Sequence, residues 1–245
     1  MSVPGGTIAP VFGRLLVLGA LVLSLLMAVT ACDLVRPARV PPAAGSPTRA
    51  QLELLLTDIP TVYRRPFPGG YDRSCRSGHG CVFGPAWTDD TDAPRGRDGC
   101  DTRNNVLALQ LTAVSFRPGS NDCVVQSGTL VDPYTGETRQ FRRSDAKAVQ
   151  IDHVYPLAAA WDMGAAQWTS ERRIRFANDV DTNLLAVGGA ENQAKGDSTP
   201  AQWLPPNPAY HCYYAGKFLT AARTYGLPIT NADRATLIDV ARRCE

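Results

Sequence analysis

The sequence predicts an α+β fold stapled by disulfides, and three observations carry that prediction. Strand, strand and helix patterns follow one another across residues 148–200 as a ββα unit. Apolar residues at helical spacing dominate the carboxyl-terminal part, while an earlier stretch alternates like a hairpin. Seven cysteines reduce to an even six once Cys32 is set aside, a number suited to an oxidising compartment.

The amino end is read as a targeting segment. Arg14 precedes an apolar run over 15–29 that has the length of a secretory h-region and is short for a spanning helix. Val29-Thr30-Ala31-Cys32 follows at once and resembles the bacterial lipobox, in which the cysteine becomes the lipidated first residue. The expected organisation is therefore a lipoprotein signal peptide over 1–31, a lipidated Cys32 with a Pro-, Ala-, Gly- and Ser-rich tether over 32–48, and one folded domain over 49–245. The expected location is extracytoplasmic, anchored by lipid to the bacterial cell membrane, or secreted. Removing 1–31 leaves 214 residues and lowers the formal net charge from +2 to +1. That near-neutrality excludes the global basic field of a chromatin-type or non-specific DNA coat protein, so contact with nucleic acid has to be local.

Within the domain, 51–56 offers a short helix stopped before Pro60, and 66–98 is loop-like, rich in Gly, Pro, Asp and Arg. Asp101 or Thr102 can cap a helix through Val106, Leu107 and Leu111, while 112–116 reads equally well as a strand. Residues 123–130 and 137–142 form an outer hairpin around the turn Asp132-Pro133-Tyr134-Thr135-Gly136. Tyr210, Tyr214, Phe218, Ala221 and Tyr225 place a packing stripe on one helix that Pro228 breaks. Thr230 with Asp233 resembles a capping box that starts a last helix ending near Cys244. Six cysteines allow 15 connectivities; chain neighbours suggest Cys75 with Cys81, Cys100 with Cys123 and Cys212 with Cys244. No C-x-x-C pair is present, which argues against a zinc ribbon.

The segment with most chemistry is 148–157, a β-like run that ends in Asp152-His153 and then Pro156. Adjacent strand residues point to opposite faces, so these two can serve one substrate only where the strand ends or bends. Downstream lie Asn183-Leu184-Leu185-Ala186-Val187, a Gly-Gly turn, and Asn192-Gln193-Ala194-Lys195-Gly196-Asp197 opening a helix.

D-H-x-x-P-L, then N-L-L, then N-x-x-K-G-D resembles the HNH, or His-Me finger, nucleases. Trp203-Leu204-Pro205-Pro206-Asn207 matches the pattern of their secreted bacterial branch, and the likeness runs from about Gly99 to the carboxyl end. The resemblance implies a ββα-metal core at about 148–200 with an extra hairpin and surrounding helices. It also implies a metal-dependent endonuclease that cuts DNA, or RNA, to 5′-phosphate products.

On this resemblance His153 is the general base, Asp152 and Asn192 are ligands of one divalent cation, and Asn183 braces the base's loop. A neutral imidazole can take a proton from water, and a hard cation on oxygen donors offsets phosphate charge. Asn192, where many relatives carry histidine, favours Mg²⁺, with Mn²⁺ or Ca²⁺ as alternatives, over Zn²⁺. Lys195 shares a helix face with Asn192 and is placed to touch phosphate, the competing reading being a solvated lysine. Asp197 reads as a cap or a lysine partner. Arg172, Arg173 and Arg175, with Arg139, Arg142, Arg143 and Lys147, gather charge that can meet a nucleic-acid backbone or pair with Asp145, Asp162 and Glu171. His79, His211 and the tryptophans Trp87, Trp161, Trp168 and Trp203 read as packing or exposed residues. Nucleic acid, chiefly DNA, and the membrane are the implied partners, and no protein partner follows from the sequence. The competing class is a non-catalytic envelope lipoprotein that uses the same scaffold for binding.

Overall fold

The computed structural model describes residues 1–2, 5 and 40–245, and 40–245 form one compact unit. The apolar run over 15–29 of the expected signal peptide and Cys32 lie outside the described residues. Residues 40–48, expected in the tether, are docked on the domain: the Ala43 N–H donates to the Ala209 carbonyl, and a Cβ on Gly216 would collide with the Pro47 ring. Among the described residues no helix is long and apolar enough to cross a membrane.

The chain forms α1 (Arg49–Thr57), β1 (Thr61–Val62), α2 (Thr102–Gln110), β2 (Thr112–Phe116), β3 (Val125–Val131) and β4 (Thr138–Arg142). There follow β5 (Val149–His153), α3 (Leu157–Asp162), α4 (Ser170–Ala177), β6 (Leu184–Gly188) and α5 (Gly189–Lys195). The chain closes with α6 (His211–Tyr225), β7 (Ile229–Thr230) and α7 (Asn231–Ala241). Between β1 and α2 there is neither helix nor strand, as the Gly- and Pro-rich composition of 66–98 requires. Local signals set several ends. Thr48 and Thr230 make capping boxes at α1 and α7, and the Asp101 side chain accepts from the Asn104 N–H at the start of α2. One end differs from expectation. α6 stops at Gly226, whose left-handed backbone directs its N–H back to the Ala222 and Arg223 carbonyls, so the helix is closed before Pro228 is reached.

Strands β2, β3 and β4 form an antiparallel sheet, so the expected outer hairpin has 112–116 as its third strand. β5 and β6 pair antiparallel, with Asp152 opposite Leu185 and His153 opposite Leu184. The pair lies between two apolar cores. Leu185 and Val187 join the larger core with Tyr134, Tyr155 and the aromatic stripe of α6, while Ile151, Leu184 and Ala186 join the smaller one with Val106 and Leu107 of α2. Tyr155 stacks on Phe218 with centroids 4.7 Å apart, which ties the exit of β5 to α6.

The three disulfides join Cys75 to Cys81, Cys100 to Cys123 and Cys212 to Cys244. The last one clamps the chain end onto the start of α6, and the second ties α2 to the outer sheet.

Candidate active site

Alternation along β5 organises the site. Gln150 and Asp152 share the face covered by α5, where Gln150 Oε1 accepts from Asn192 Nδ2 at 2.9 Å and Asp152 Oδ1 accepts from Lys195 Nζ at 2.9 Å. Asn192 and Lys195, three apart, lie on the same helix face and meet residues two apart on the strand. The approach of α5 requires its glycine start. A Cβ on Gly189 would collide with the Lys147 carbonyl, and one on Gly188 with the Glu191 and Asp132 carboxylates.

Asp152 is buried, and its second oxygen accepts from the Tyr134 hydroxyl at 2.6 Å. Tyr134 is delivered by the Asp132-to-Gly136 turn, where the Asp132 carboxylate accepts from the Tyr134 N–H, the Thr135 hydroxyl and Arg139. The Trp203-to-Asn207 motif closes over that turn. Asn207 N–H donates to the Tyr134 carbonyl, its Nδ2 to the Pro133 carbonyl, and Trp203 meets the Tyr134 ring edge-on at 4.9 Å. Two motifs far apart in sequence thus act together to hold one hydroxyl under Asp152. Burial, then the Asp152 charge, raises the Tyr134 phenol well above its ordinary range, so it stays a donor.

His153 ends β5 and faces the other way. Its Nε2 lies 2.8 Å from the Ala177 carbonyl, which can only accept, so Nε2 carries the proton and Nδ1 the lone pair. Trp87 stacks on the imidazole, with centroids 5.4 Å apart and planes 11° apart. Desolvation pushes the His153 pKa down to about 4, against the raising effects of the Ala177 carbonyl and Asp152. The ring is neutral at physiological pH. Behind it, fully buried Asn183 fixes the strand exit: Oδ1 accepts from the Tyr155 N–H at 2.7 Å, Nδ2 donates to the Tyr155 carbonyl at 3.1 Å, and its own carbonyl accepts from the Val154 N–H.

Asp152, His153, Asn192 and Gln150 border one open cavity of about 600 Å³, together with Arg73 and Arg103. Because β5 ends at His153, this cavity wraps the strand end and meets both faces. Arg103 is held by the Ala146 and Val149 carbonyls, and Arg73 is exposed with no carboxylate partner among the described residues.

Several expectations meet a different arrangement. Lys195 is neither solvated nor free for phosphate: it is 1% exposed, and its ammonium is shared between Asp152 Oδ1 and the His153 carbonyl. Asp197 pairs with Arg65 rather than with a lysine. The basic residues of α4 are structural ties. Arg172 donates to the Tyr225 carbonyl and stacks on Trp168, Arg173 donates to the Val82 and Trp168 carbonyls, and Arg175 pairs with Asp92. Arg139 is committed to Asp132, Glu137 and Glu191, and Asp162 to Arg65. Site charge comes instead from Arg73 and Arg103. Trp87 packs as the sequence suggests, against the smaller core, and its ring also stacks on His153 at the cavity edge.

The donor set suits a hard cation that keeps most of its water. Asn192 Nδ2 is committed to Gln150, which leaves its Oδ1 without a protein partner, and each Asp152 oxygen holds one hydrogen bond and retains a lone pair. Among the described residues no group of three or more His, Cys, Asp and Glu is placed to hold a metal.

Comparison with known proteins gives two matches. Residues 101–240 match the family model described as the C-terminal domain of GmrSD restriction endonucleases. The chain is also 34% identical over 223 residues to an uncharacterized secreted protein of Arthroderma benhamiae, covering 91% of this chain and 98% of that one. No solved structure matches.

Proposed function

The chain belongs to the family of GmrSD restriction endonuclease C-terminal domains, and from that premise we propose that it is an exported endonuclease hydrolysing phosphodiester bonds of DNA, with RNA as the second substrate class. The observation that carries the reading is a neutral histidine of fixed tautomer at a strand end, bordering a cavity that also holds two arginines. His153 Nδ1 takes a proton from the attacking water. Burial keeps that nitrogen unprotonated beforehand, and the negative phosphate favours the imidazolium once it forms. Trp87 and the Ala177 carbonyl hold the ring plane, and Asn183 holds the backbone from which it projects. Arg73 and Arg103 receive the phosphate oxygens.

β5, β6 and α5 are in this reading a ββα-metal, or His-Me finger, core. Asp152 and Asn192 would hold one divalent cation, Mg²⁺ before Mn²⁺ or Ca²⁺, which would supply positive charge toward the phosphate and the leaving oxygen. Lys195 and Tyr134 hold the Asp152 carboxylate in place. Export is supported by three disulfides and by the secreted relative, and the lipid anchor at Cys32 is part of the same proposal.

The test is a cleavage assay of the 40–245 protein on DNA and RNA with Mg²⁺, Mn²⁺, Ca²⁺ or EDTA, beside calorimetric titration of Mg²⁺ into wild type and Asn192→Ala. Cutting that EDTA abolishes, with 5′-phosphate ends and Mg²⁺ binding lost in the variant, is expected. No cutting of either polymer under any metal would refute the nuclease reading and leave a binding scaffold.

A further inference from the structure

Residues 63–76 carry four arginines against one acid, Asp72, and two aromatic rings that the fold leaves almost bare: Tyr63 is 86% exposed and Phe67 80%. A single exposed apolar side chain is ordinary, but Phe67 is presented by an anchored loop. Two residues before it, Arg65 is fixed to Asp162 at 2.7 Å and to Asp197 at 3.0 Å. Two residues after it, the Gly69 carbonyl accepts from Trp161 Nε1 of α3 at 2.8 Å. Pro66 and Pro68 restrict the backbone between these anchors. The Arg65 guanidinium lies over the Phe67 ring, 5.7 Å from its centroid, and most of the side chain remains in water. The same loop borders the active cavity: Asp197, which holds Arg65, lines it, as do Tyr71 and Arg73. Phe67 thus stands one side chain outside the rim. Arg64 and Arg73 are exposed, and neither has a carboxylate partner among the described residues.

We propose that residues 63–73 form a rail for single-stranded nucleic acid leading to the cavity, with a base stacked on Phe67 and phosphates met by Arg64 and Arg73. The inference rests on the nuclease reading of the cavity and names its substrate class: an unpaired strand, read at this position without base preference. Every base has a π-face, so stacking on a phenyl ring tolerates any sequence, and unpaired cations beside the ring supply the attraction for the backbone. A ring held between two anchors loses little freedom when a base settles on it. In a duplex the base faces are used in their own stack and freeing one costs unpairing, so Phe67 contributes little there. An anionic lipid surface is the other partner that exposed aromatic rings with arginines suit. The cavity decides between them, because the loop that presents Phe67 also supplies Tyr71 and Arg73 to the cavity wall, where a strand being cut has to pass.

The experiment is fluorescence anisotropy of the 40–245 protein with end-labelled oligo(dT), oligo(dA) and a mixed duplex, in EDTA, beside sedimentation with phosphatidylglycerol–phosphatidylcholine vesicles. Wild type is compared with Phe67→Leu, which keeps an apolar side chain but removes the flat ring, with Phe67→Ser, which removes both, and with Arg64→Ala. Wild type is expected to bind both single strands about tenfold more tightly than the duplex. Both Phe67 variants are expected to lose about tenfold on oligo(dT) and on oligo(dA) alike, with duplex affinity unchanged. Arg64→Ala is expected to weaken single-strand binding and to make its salt dependence shallower. Thermal unfolding of each variant checks that it is folded. Equal affinity of wild type for single strands and duplex overturns the rail, as does a Phe67→Leu protein that binds single strands like wild type. Vesicle binding that survives in Phe67→Leu and is lost in Phe67→Ser, with strand affinity unchanged in both, overturns it in favour of a membrane contact. Cleavage of single strands by Phe67→Leu with the wild-type KM would overturn the rail alone and leave the nuclease reading standing. Failure of wild type to bind or cut any nucleic acid would overturn both.

Discussion

Replacing Lys195 with methionine removes an ammonium that is 1% exposed and leaves Asp152, 4% exposed, with a negative charge and only the Tyr134 hydroxyl to meet it. The pair is 2.9 Å apart, with side-chain exposures of 0% and 5%, so solvent does little to screen the loss. Breaking a buried pair from one side costs about 3–5 kcal/mol, since the remaining charge stays desolvated. Lys195 also serves the His153 carbonyl, which loses a donor in the same change. For a domain of this size each kcal/mol moves Tm by about 2–4 °C, so Lys195→Met is expected to melt about 6–20 °C lower in EDTA. Two further arms separate charge from packing. Asp152→Asn with Lys195→Met is expected to recover most of the loss, because no charge is left buried. Millimolar Mg²⁺ is expected to raise Tm of the single variant more than that of wild type, since it binds a carboxylate no longer neutralised. Scanning calorimetry reads all three. A drop of less than about 1 kcal/mol for Lys195→Met, or no recovery in the double variant, refutes the argument that the ammonium is what allows Asp152 to be buried.

Three other outcomes follow from the same geometry. Cys212→Ser with Cys244→Ser opens a loop with a sequence separation of 32, for which chain entropy gives a loss of about 3–4 kcal/mol, measurable by urea unfolding. His153 and His211 are both held below the ordinary histidine value of 6.5 by burial, His153 at about 4. The unfolded chain therefore binds more protons between these limits, and their contribution is complete above about pH 6.5 and lost as pH falls toward about 4. Denaturation midpoints at pH 7.5 and 4.5 in EDTA check this: the acid midpoint is lower in wild type, with a smaller drop in His153→Ala. Arg73→Ala removes an exposed cation of the cavity, so KM for a nucleic-acid substrate should rise about tenfold with Tm unchanged, in steady-state cleavage assays at two salt concentrations.

Sequence displayed the parts of this molecule that are local. The Thr230 and Asp233 capping box, the turn from Asp132 to Gly136 and the aromatic stripe of α6 are each set by residues a few positions apart, and periodicity or turn chemistry reads them directly. The face shared by Asn192 and Lys195 was legible for the same reason. Its depth was not: only the closeness of α5 to β5, permitted by Gly188 and Gly189, turns a lysine with surface spacing into a buried counter-ion. Trp87 and Arg73 reach His153 from a loop without periodicity, ordered by a disulfide and by Asp89 and Asp72 accepting backbone N–H groups, and no spacing rule connects them to β5. The arginines of α4 misled for the opposite reason. A basic amphipathic helix looks like a charged surface, yet Arg172 and Arg173 spend their donors on carbonyls left open by neighbouring loops.

The central claim is that His153 accepts the proton of the attacking water, and single-turnover cleavage of a labelled single-stranded oligonucleotide by wild type and His153→Ala tests it most directly. The substitution should slow the chemical step by about 10²–10⁴ in protein that circular dichroism shows to be folded at the assay temperature. A His153→Ala protein that is folded and cuts at the wild-type rate would contradict it.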